Sequence, residues 1–371
     1  MQRKKKKTST LTRNSTAFAA YLEYNDYLCR QLEPSYIKIM TLKPITKLTM
    51  LALLAATSME MQAQRHRPQS DFKTDTLMVH DPVMAYENGT YHLYCTGTGL
   101  QHATSTDLKT WTVKAAPAMS VIPKWAHDSV PGFRNHVWAP DIIKYRGKWW
   151  MAYSCSTFGK NTSAIGLLSA KTLDAGATWN DEGAIICSRE GRDNWNAIDP
   201  NFVIDDKGES WLTFGSFWDG IQLVKLDSTM HIAQGHKPKT IARRQHVNTM
   251  ENPVEAPFIF KHGGYYYLFV SWDYCCQGMK STYKVAVGRS RNIEGPYLDR
   301  DGKDMADLGG TLVIEGDKKM FEAAGHCSAY TFQGKDYFLC HGYAVELDGA
   351  SILICREMTW TKDGWPLISA K

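Results

Sequence analysis

One short motif recurs along the chain, and an aromatic-rich segment follows each copy. The motif reads VHDPV at 79–83, WAPDI at 138–142, AIDPN at 197–201 and VEAPF at 254–258. A fifth copy, Gly325–Tyr330, has histidine in place of the acid. The segments that follow, such as Trp149–Tyr153 and Tyr265–Phe269, contain the aromatic and β-branched residues that favour strands.

The copies are almost evenly spaced. Counted between Pro82, Pro140, Pro200, Pro257 and Ser328, the steps are 58, 60, 57 and 71 residues. A fixed period that holds about four short strands per copy is typical of a propeller. The sequence therefore predicts an all-β, five-bladed β-propeller in which the motifs of all copies open onto one central axis.

The N-terminal part carries the positive charge of the chain. Residues 1–63 contain 10 Lys and Arg against 4 Asp and Glu, so the remainder has a net charge of −1 although the whole chain has +5. No basic face is left to bind nucleic acid. We therefore expect no nucleic-acid partner.

The same region has the order of a secretory signal. Residues 40–63 contain a basic start, an apolar run at Leu48–Ala56 and small residues at the end, and the run is too short for a membrane span. We interpret residues 1–39 as an upstream extension, disordered or translated from a misplaced start, 64–76 as a linker, and 77–371 as the propeller. The expected location is secreted or periplasmic.

Three carboxylates stand in the recurring motif. Any one acid beside a proline is typical of a capped turn, but the fold would bring Asp81, Asp199 and Glu255 together. Hydrolysis of a glycosidic bond needs one protonated and one ionised carboxyl group. The apolar neighbours of Glu255 favour its protonated form and the role of general acid, supported by a negative Asp199. Asp141 follows its proline instead, and we interpret it as structural.

The motif set resembles glycoside hydrolase family 43 over residues 77–367, and the segments Ser271–Gly278 and Ser281–Tyr283 resemble its endo-acting arabinanases. The resemblance implies a five-bladed propeller that cleaves internal α-1,5-L-arabinofuranosyl linkages of arabinan or arabino-oligosaccharides with inversion of configuration. It assigns the general base to Asp81, the general acid to Glu255, and substrate orientation and tuning of the acid to Asp199. One departure is Cys327, where relatives commonly have asparagine.

Further residues are expected to bind sugar or metal. Aromatic and polar side chains near the motifs would cover the apolar faces and hydroxyls of sugar rings, with structural packing as the alternative; they are Trp138, Phe158, Gly159, Asn196, Ser216 and Trp218. His326 replaces the acid in the fifth repeat. In related arabinanases the equivalent histidine contacts an ion, usually calcium, in the central channel; waters would complete its shell. The alternative is a histidine satisfied by Asp81. No organic cofactor is expected.

Two other functions stay open at this point. One is an exo-acting α-L-arabinofuranosidase or β-xylosidase of the same family, and the other is a non-catalytic carbohydrate-binding propeller. No added β-sandwich follows the fifth repeat, which favours an open groove and endo cutting. We expect a monomer. The intact set of acids argues against a binding protein.

The cysteines show no metal-binding spacing. Of nine, Cys29 lies in the upstream extension and the others are scattered over the repeats. Only Cys275 and Cys276 are adjacent. They form either two free thiols or a strained vicinal disulfide.

Overall fold

The computed structural model describes residues 70–174, 177–245 and 251–369. The predicted extension and signal peptide lie outside the described residues. In the part that is described, no helix is long and apolar enough to span a membrane. The predicted linker 64–76 is wrong in its last part, because Phe72–Thr74 forms a strand of the first blade.

Two five-stranded antiparallel sheets begin the fold. The first part of the chain forms β1 (Phe72–Thr74), β2 (Val83–Glu87), β3 (Thr90–Cys95), β4 (Gly97–Thr98), β5 (Gln101–Ser105) and β6 (Trp111–Val113). All except β4 pair in blade 1. A short helix, α1 (Lys124–Ser129), precedes β7 (His136–Tyr145), β8 (Lys148–Cys155), β9 (Ser163–Ala170) and β10 (Asn180–Ser188). These four strands form blade 2, and β4 pairs with its inner strand β7.

Three four-stranded sheets complete the ring. Blade 3 contains β11 (Asn201–Ile204), β12 (Ser210–Phe214), β13 (Ile221–Lys225) and β14 (Lys239–Ala242). Blade 4 contains β15 (Val254–His262), β16 (Tyr265–Trp272), β17 (Lys284–Ser290) and β18 (Thr311–Glu315). Blade 5 contains β19 (Phe321–Phe332), β20 (Lys335–Ala344), β21 (Ala350–Trp360) and β22 (Pro366–Ile368). Short 3-10 helices occur at Gly278–Lys280, Met305–Asp307 and Val345–Leu347. The predicted five-bladed propeller is confirmed.

The tight turns that the sequence predicts between the first two strands of a blade are present. In blade 1, Asn88 and Gly89 both have positive φ, 48° and 82°. Two left-handed residues in a two-residue hairpin form a type I′ turn, which matches the twist of the strands and favours the Asn-Gly pair.

The hydrophobic core lies between the blades. Successive strand residues point to opposite faces of a sheet. In β8, Trp149 therefore packs in the cluster shared with blade 1, and Trp150 packs in the cluster shared with blade 3. Similar clusters join blades 3 and 4, 4 and 5, and 5 and 1. Because both faces of each sheet are covered, the strands read as almost continuous apolar runs.

A buried carboxylate fastens blade 1 to blade 2. Oε1 of Glu87 accepts hydrogen bonds from Trp149 Nε1 at 2.7 Å and Lys144 Nζ at 3.0 Å. Its Oε2 accepts from Thr172 Oγ1 at 2.7 Å and the backbone N–H of Leu173 at 2.6 Å. Burial opposes the charge, but these four donors outweigh it and lower the pKa of Glu87 to about 2.

The ring is closed by the segment just before the first motif. The backbone N–H of Leu353 donates to the carbonyl of Leu77 at 2.8 Å, and the N–H of Val79 donates to the carbonyl of Ser351 at 3.2 Å. The Ser351 hydroxyl also donates to the carbonyl of Val79. Residues 77–79, which we call the closing segment, therefore pair with β21 of blade 5 directly before His80 and Asp81.

Candidate active site

The recurring motif forms the same backbone turn in all five blades. One residue of each copy has a left-handed φ: 57° at Asp81, 41° at Ala139, 56° at Asp199, 52° at Ala256 and 51° at His326. This conformation is uncommon for residues other than glycine. We call these five positions the turn residues.

The shared turn corrects the alignment of the repeats by one residue in the fifth copy. The residue after the turn is a proline in four blades and Cys327 in the fifth, so Cys327 and not Ser328 is equivalent to the prolines. Glu255 and Trp138 precede their turn residues, whereas Asp81 and Asp199 are turn residues themselves. The three acids therefore do not share one phase, and Glu255 approaches the site from a different backbone position.

Hydrogen bonds link each turn residue to the preceding blade. Four of the five backbone N–H groups donate to side chains near the end of the second main strand of that blade: Ala139 to Thr96 Oγ1 at 2.8 Å, Asp199 to Ser154 Oγ at 3.0 Å, His326 to Ser271 Oγ at 2.8 Å, and Asp81 to His341 Nδ1 at 3.1 Å. The fifth, Ala256, donates to Asp199 Oδ2 at 3.1 Å. These bonds fix the motifs around one axis.

Asp81 is a buried carboxylate between two histidines. Its Oδ1 lies 2.8 Å from Nδ1 of His80 and 3.0 Å from Nδ1 of His326, and its Oδ2 accepts a hydrogen bond from the Thr96 hydroxyl. Burial favours the neutral acid, but His326 and His80 outweigh it and hold the pKa of Asp81 well below its usual range. Asp81 is therefore ionised at neutral pH, as a general base must be.

Glu255 is only partly buried, and hydroxyl groups hold both of its oxygens. Ser216 Oγ donates to Oε2 at 2.8 Å, and Tyr283 Oη donates to Oε1 at 2.7 Å. A backbone bridge between Ser216 and Glu255 brings the end of β12 against β15. The carboxyl group is thus oriented from blade 3 and from blade 4. Ser216, predicted to bind sugar, contacts the candidate acid.

The buried carboxyl of Asp199 faces the same site. Burial, together with the negative charges of Glu255 and Asp81, raises the pKa of Asp199 well above its ordinary value, although His326 opposes the shift. The sequence predicts a standing negative charge on Asp199. The structure instead favours its protonated form.

The other predicted sugar-binding residues have different surroundings. Phe158 and Trp218 are exposed, 55% and 40%, which leaves their rings available to a ligand. Asn196 is buried, and its Oδ1 accepts a hydrogen bond from Ser163 Oγ at 2.7 Å. Trp138 is partly buried and donates from Nε1 to His136 Nδ1 at 2.9 Å.

Gly159 and Asp141 complete the set of positions singled out in the sequence. Gly159 has open space where a Cβ would lie and a left-handed φ of 71°. Asp141 is buried and accepts from the backbone N–H of Phe202 at 2.6 Å and from Asn201 Nδ2 at 3.2 Å. It joins blade 2 to blade 3, in keeping with the structural role predicted for it.

His326 has the arrangement of a metal-ligating histidine. Its Nδ1 pairs with Asp81 Oδ1, and Nε2 has no hydrogen-bond partner among the described residues. Ligating histidines usually donate one ring N–H to a carboxylate, which leaves the other nitrogen for the ion. Without an ion, burial is outweighed by the charge of Asp81, and the pKa of His326 rises to about 9. His326 therefore fits both predicted roles, a metal ligand and a histidine satisfied by Asp81.

Another group of candidate metal ligands, His80, Asp81 and His341, lies close together. These residues already bind one another, because His80 Nδ1 contacts Asp81 and the backbone N–H of Asp81 occupies His341 Nδ1. Their proximity is explained by these contacts and gives no reason to place an ion among them.

Several residues of the site were not predicted from the sequence. His80, Tyr283 and Tyr343 belong to or follow the quoted motifs, yet they act through contacts with residues far away in the chain. The histidine His80, for example, binds Tyr343 Oη through Nε2 at 3.0 Å across 263 positions. The small polar residues Thr96, Ser154 and Ser271 share one signal, since each stands within one residue of the end of an aromatic strand.

Comparison with known proteins shows which family this chain resembles. Residues 76–366 match the sequence model of Glycosyl hydrolases family 43. The extracellular exo-alpha-(1->5)-L-arabinofuranosidase ArbA of Cellvibrio japonicus (strain Ueda107) is 42% identical over 303 residues, 79% of this chain and 87% of that protein. The extracellular endo-alpha-(1->5)-L-arabinanase 1 of Bacillus subtilis (strain 168) is 39% identical over 293 residues, 78% of this chain and 87% of that protein.

A solved structure shows the same fold. The exo-1,5-alpha-L-arabinanase from a bovine ruminal metagenomic library superposes with a TM-score of 0.77 at 52% identity, covering 80% of this chain and 98% of that one. The similarity therefore extends over nearly the whole of that protein.

Proposed function

This chain belongs to glycosyl hydrolases family 43, and on that premise we propose that it hydrolyses internal α-1,5-L-arabinofuranosyl linkages of arabinan with inversion of configuration. It is a glycoside hydrolase, and two carboxyl groups on different blades supply the acid and the base. The observation that carries the proposal is the contrast between them. Asp81 is held as an anion by two histidines, and Glu255 is partly exposed and held by two hydroxyls.

In the proposed reaction, Asp81 acts as general base. Its carboxylate takes a proton from a water molecule, which attacks the anomeric carbon. His80 and His326 keep Asp81 ionised until that step. Thr96, which donates to its second oxygen, fixes the plane of the carboxylate.

Glu255 acts as general acid on the opposite side of the bond. It donates a proton to the glycosidic oxygen as the bond breaks, so the leaving sugar departs as an alcohol. Ser216 and Tyr283 hold both oxygens, which restricts the direction of transfer. Asp199 positions this group, because it binds the backbone of Ala256, the next residue in the chain.

A second candidate function is exo-acting release of arabinose or short oligosaccharides, and the names of two of the compared proteins favour it. The time course of products from linear α-1,5-arabinan separates the two. Internal cleavage lowers viscosity early and yields a range of oligomers, whereas exo cleavage releases one small product while viscosity falls slowly. No product with wild type, in parallel with Asp81→Asn as the blank, would leave only a carbohydrate-binding role.

We also propose that the protein is secreted as a monomer. The order of residues 40–63 and the word extracellular in the names of two relatives support secretion. N-terminal sequencing of exported protein tests the signal peptide, and light scattering tests the monomer.

A calcium ion in the central channel is part of the proposal. His326 would hold it through Nε2, with waters as the remaining ligands. When bound, the ion would supply positive charge beside the acids. Thermal unfolding measured after chelation and after calcium is restored tests binding, with His326→Gln as the variant expected not to respond.

A further inference from the structure

Two adjacent thiols lie beside the candidate active site. Cys275 and Cys276 are partly exposed, and their sulfur atoms are 2.9 Å apart. They follow β16 and precede the 3-10 helix at Gly278–Lys280. Both are free thiols, so the predicted alternative of a vicinal disulfide is not the state of this structure.

Cys276 contacts the histidine that holds the candidate base. Its Sγ lies 3.7 Å from Nε2 of His80, and Nδ1 of the same ring contacts Asp81 at 2.8 Å. The backbone N–H of Cys276 also donates to Tyr343 Oη at 2.7 Å, and that hydroxyl contacts His80 as well. A thiol, an imidazole and a carboxylate therefore form one chain of contacts.

Cys275 adjoins the group that holds the candidate acid. It packs against the small cluster of Tyr283, Ala323 and Tyr343. Tyr283 is the residue whose hydroxyl donates to Glu255. The two thiols consequently lie between the supports of both proposed catalytic carboxyl groups, and no step of the proposed reaction uses them.

We propose that Cys275 and Cys276 form a thiol–disulfide switch whose oxidation by a small-molecule or protein disulfide lowers the turnover of this enzyme. The effect on turnover rests on the proposed function, whereas the thiol chemistry does not. The site is a modification site for disulfide-class oxidants, and Cys276 is the thiol that reacts first.

The chemistry is a thiol–disulfide exchange in two steps. The thiolate of Cys276 attacks one sulfur of the oxidant, which releases one thiolate and leaves a mixed disulfide. The thiolate of Cys275 then attacks Cys276 Sγ and expels the second thiolate. Both cysteines lose a proton and together lose two electrons, and the oxidant is reduced to two thiols.

The surroundings favour Cys276 as the attacking group. Its hydrogen bond with Cys275 is the largest influence, and with His80 it outweighs burial and lowers the pKa of Cys276 to about 6. The same hydrogen bond raises the pKa of Cys275 well above its ordinary value. A thiolate is the reactive form, so the two cysteines differ in role.

The disulfide would be easily reversed. Neighbouring Cα atoms across a trans peptide are about 3.8 Å apart, whereas ordinary disulfides span about 4.4–6.8 Å. Strained disulfides are more readily reduced and are typical of regulatory pairs. Closing the bond brings the sulfurs to about 2.05 Å. His80 then no longer faces a thiolate, and the contact between Cys276 and Tyr343 is strained.

The first test follows the purified protein through glutathione buffers from reducing to oxidising. Mass spectrometry of the peptide that contains both cysteines is expected to show loss of two hydrogens, and kcat on arabinan should fall about twofold to thirtyfold with the same midpoint. Excess reductant should restore both. A peptide that stays reduced in every buffer, or a kcat unchanged when the disulfide has formed, would overturn the switch.

Single variants test the order of attack. Oxidised glutathione should leave a stable adduct on Cys276 in Cys275→Ala, because the resolving thiol is missing. In Cys276→Ala, Cys275 should stay unmodified and kcat should no longer respond to the buffer. The opposite pattern of adducts would refute the assignment. The control, Cys187→Ala on β10, should behave as wild type.

These experiments distinguish a wrong assignment of function from a wrong assignment of the switch. A protein that forms the disulfide but cleaves no arabinan in its reduced state contradicts the proposed function. A protein that cleaves arabinan equally in both states contradicts the switch alone.

Discussion

Oδ2 of Asp199 accepts a hydrogen bond from the backbone N–H of Ala256 at 3.1 Å, across 57 positions of the chain. In the other four blades the equivalent N–H binds a small polar residue or a histidine. Here a carboxyl group takes that place, and Ala256 directly follows Glu255. The contact couples the position of the candidate acid to the carboxyl group of Asp199 on the neighbouring blade.

Replacing Asp199 tests this coupling. Asp199→Ala removes the acceptor for the N–H of Ala256, so kcat on arabinan should fall by about 100-fold while KM changes little, because Glu255 loses its alignment. Asp199→Asn keeps an acceptor oxygen and should retain more of the turnover. If both variants lose kcat equally, the charge or proton of Asp199 matters and not the hydrogen bond.

Glu255→Gln should remove the general acid and preserve the fold. Turnover on arabinan should fall by about 100-fold to 10,000-fold. An aryl arabino-oligoside with a nitrophenolate leaving group needs little protonation and should lose much less. Steady-state rates on the two substrates decide the role, and equal losses on both would contradict it.

Asp81→Asn should abolish turnover on both kinds of substrate, because the attacking water then lacks a base. The expected loss is again about 100-fold to 10,000-fold. In an inverting enzyme a water fits between the groups, so a crystal structure should place the carboxyl groups of Asp81 and Glu255 roughly 6.5–9.5 Å apart. A separation near 5 Å, or retained configuration of the first product by NMR, would contradict inversion.

His326→Gln should move the acidic limb of the pH–rate profile to higher pH. His326 lowers the pKa of Asp81, so without its charge Asp81 takes up a proton more easily and the base is lost sooner as pH falls. We expect a displacement of about one pH unit in buffer without divalent cations. The exposed His236→Gln serves as control, and an unmoved limb in His326→Gln would assign the ionisation of Asp81 to His80 alone.

Glu87→Gln should weaken the contact between blades 1 and 2. The pKa of Glu87 is about 2 against an ordinary 4.5, so its charge stabilises the fold above pH 4.5 and the benefit disappears as pH falls through 2. The free energy of unfolding at pH 7 should drop by about 3 kcal/mol, and the difference from wild type should shrink toward pH 2. Urea unfolding measures both, and the surface variant Glu357→Gln should change stability by less than about 0.5 kcal/mol.

The sequence was sufficient to predict the five-bladed propeller because each repeat contains a recognisable motif, strand and turn. Each motif precedes an aromatic strand, and turns such as Asn88–Gly89 mark the hairpins. The same signal brought Asp81, Asp199 and Glu255 to one end of the fold. Glu255 stands two residues before its proline whereas Asp81 and Asp199 stand one before theirs, but the sequence could not show that Ala256 has a left-handed φ, because φ is a property of the backbone.

The side chains that hold the acids and shift their pKa values could not be predicted from the sequence, for a different reason. His341 contacts Asp81 of another blade and Tyr283 contacts Glu255 across 28 positions, and nothing local in the sequence marks those pairings. Charge states depend on the sum of such contacts. Asp199 was therefore assigned a charge that burial beside Glu255 and Asp81 disfavours.

The position of the closing segment determines which part of the propeller is expected to be lost first on unfolding. Residues 77–79 hold blade 1 against blade 5, and Val79 is only two residues before Asp81. If this seam separates, the backbone that carries the base moves with it, while the sheets of the other blades keep their own hydrogen bonds. Heating, or removal of the N-terminus past residue 77, is therefore expected to abolish activity before most of the secondary structure is lost.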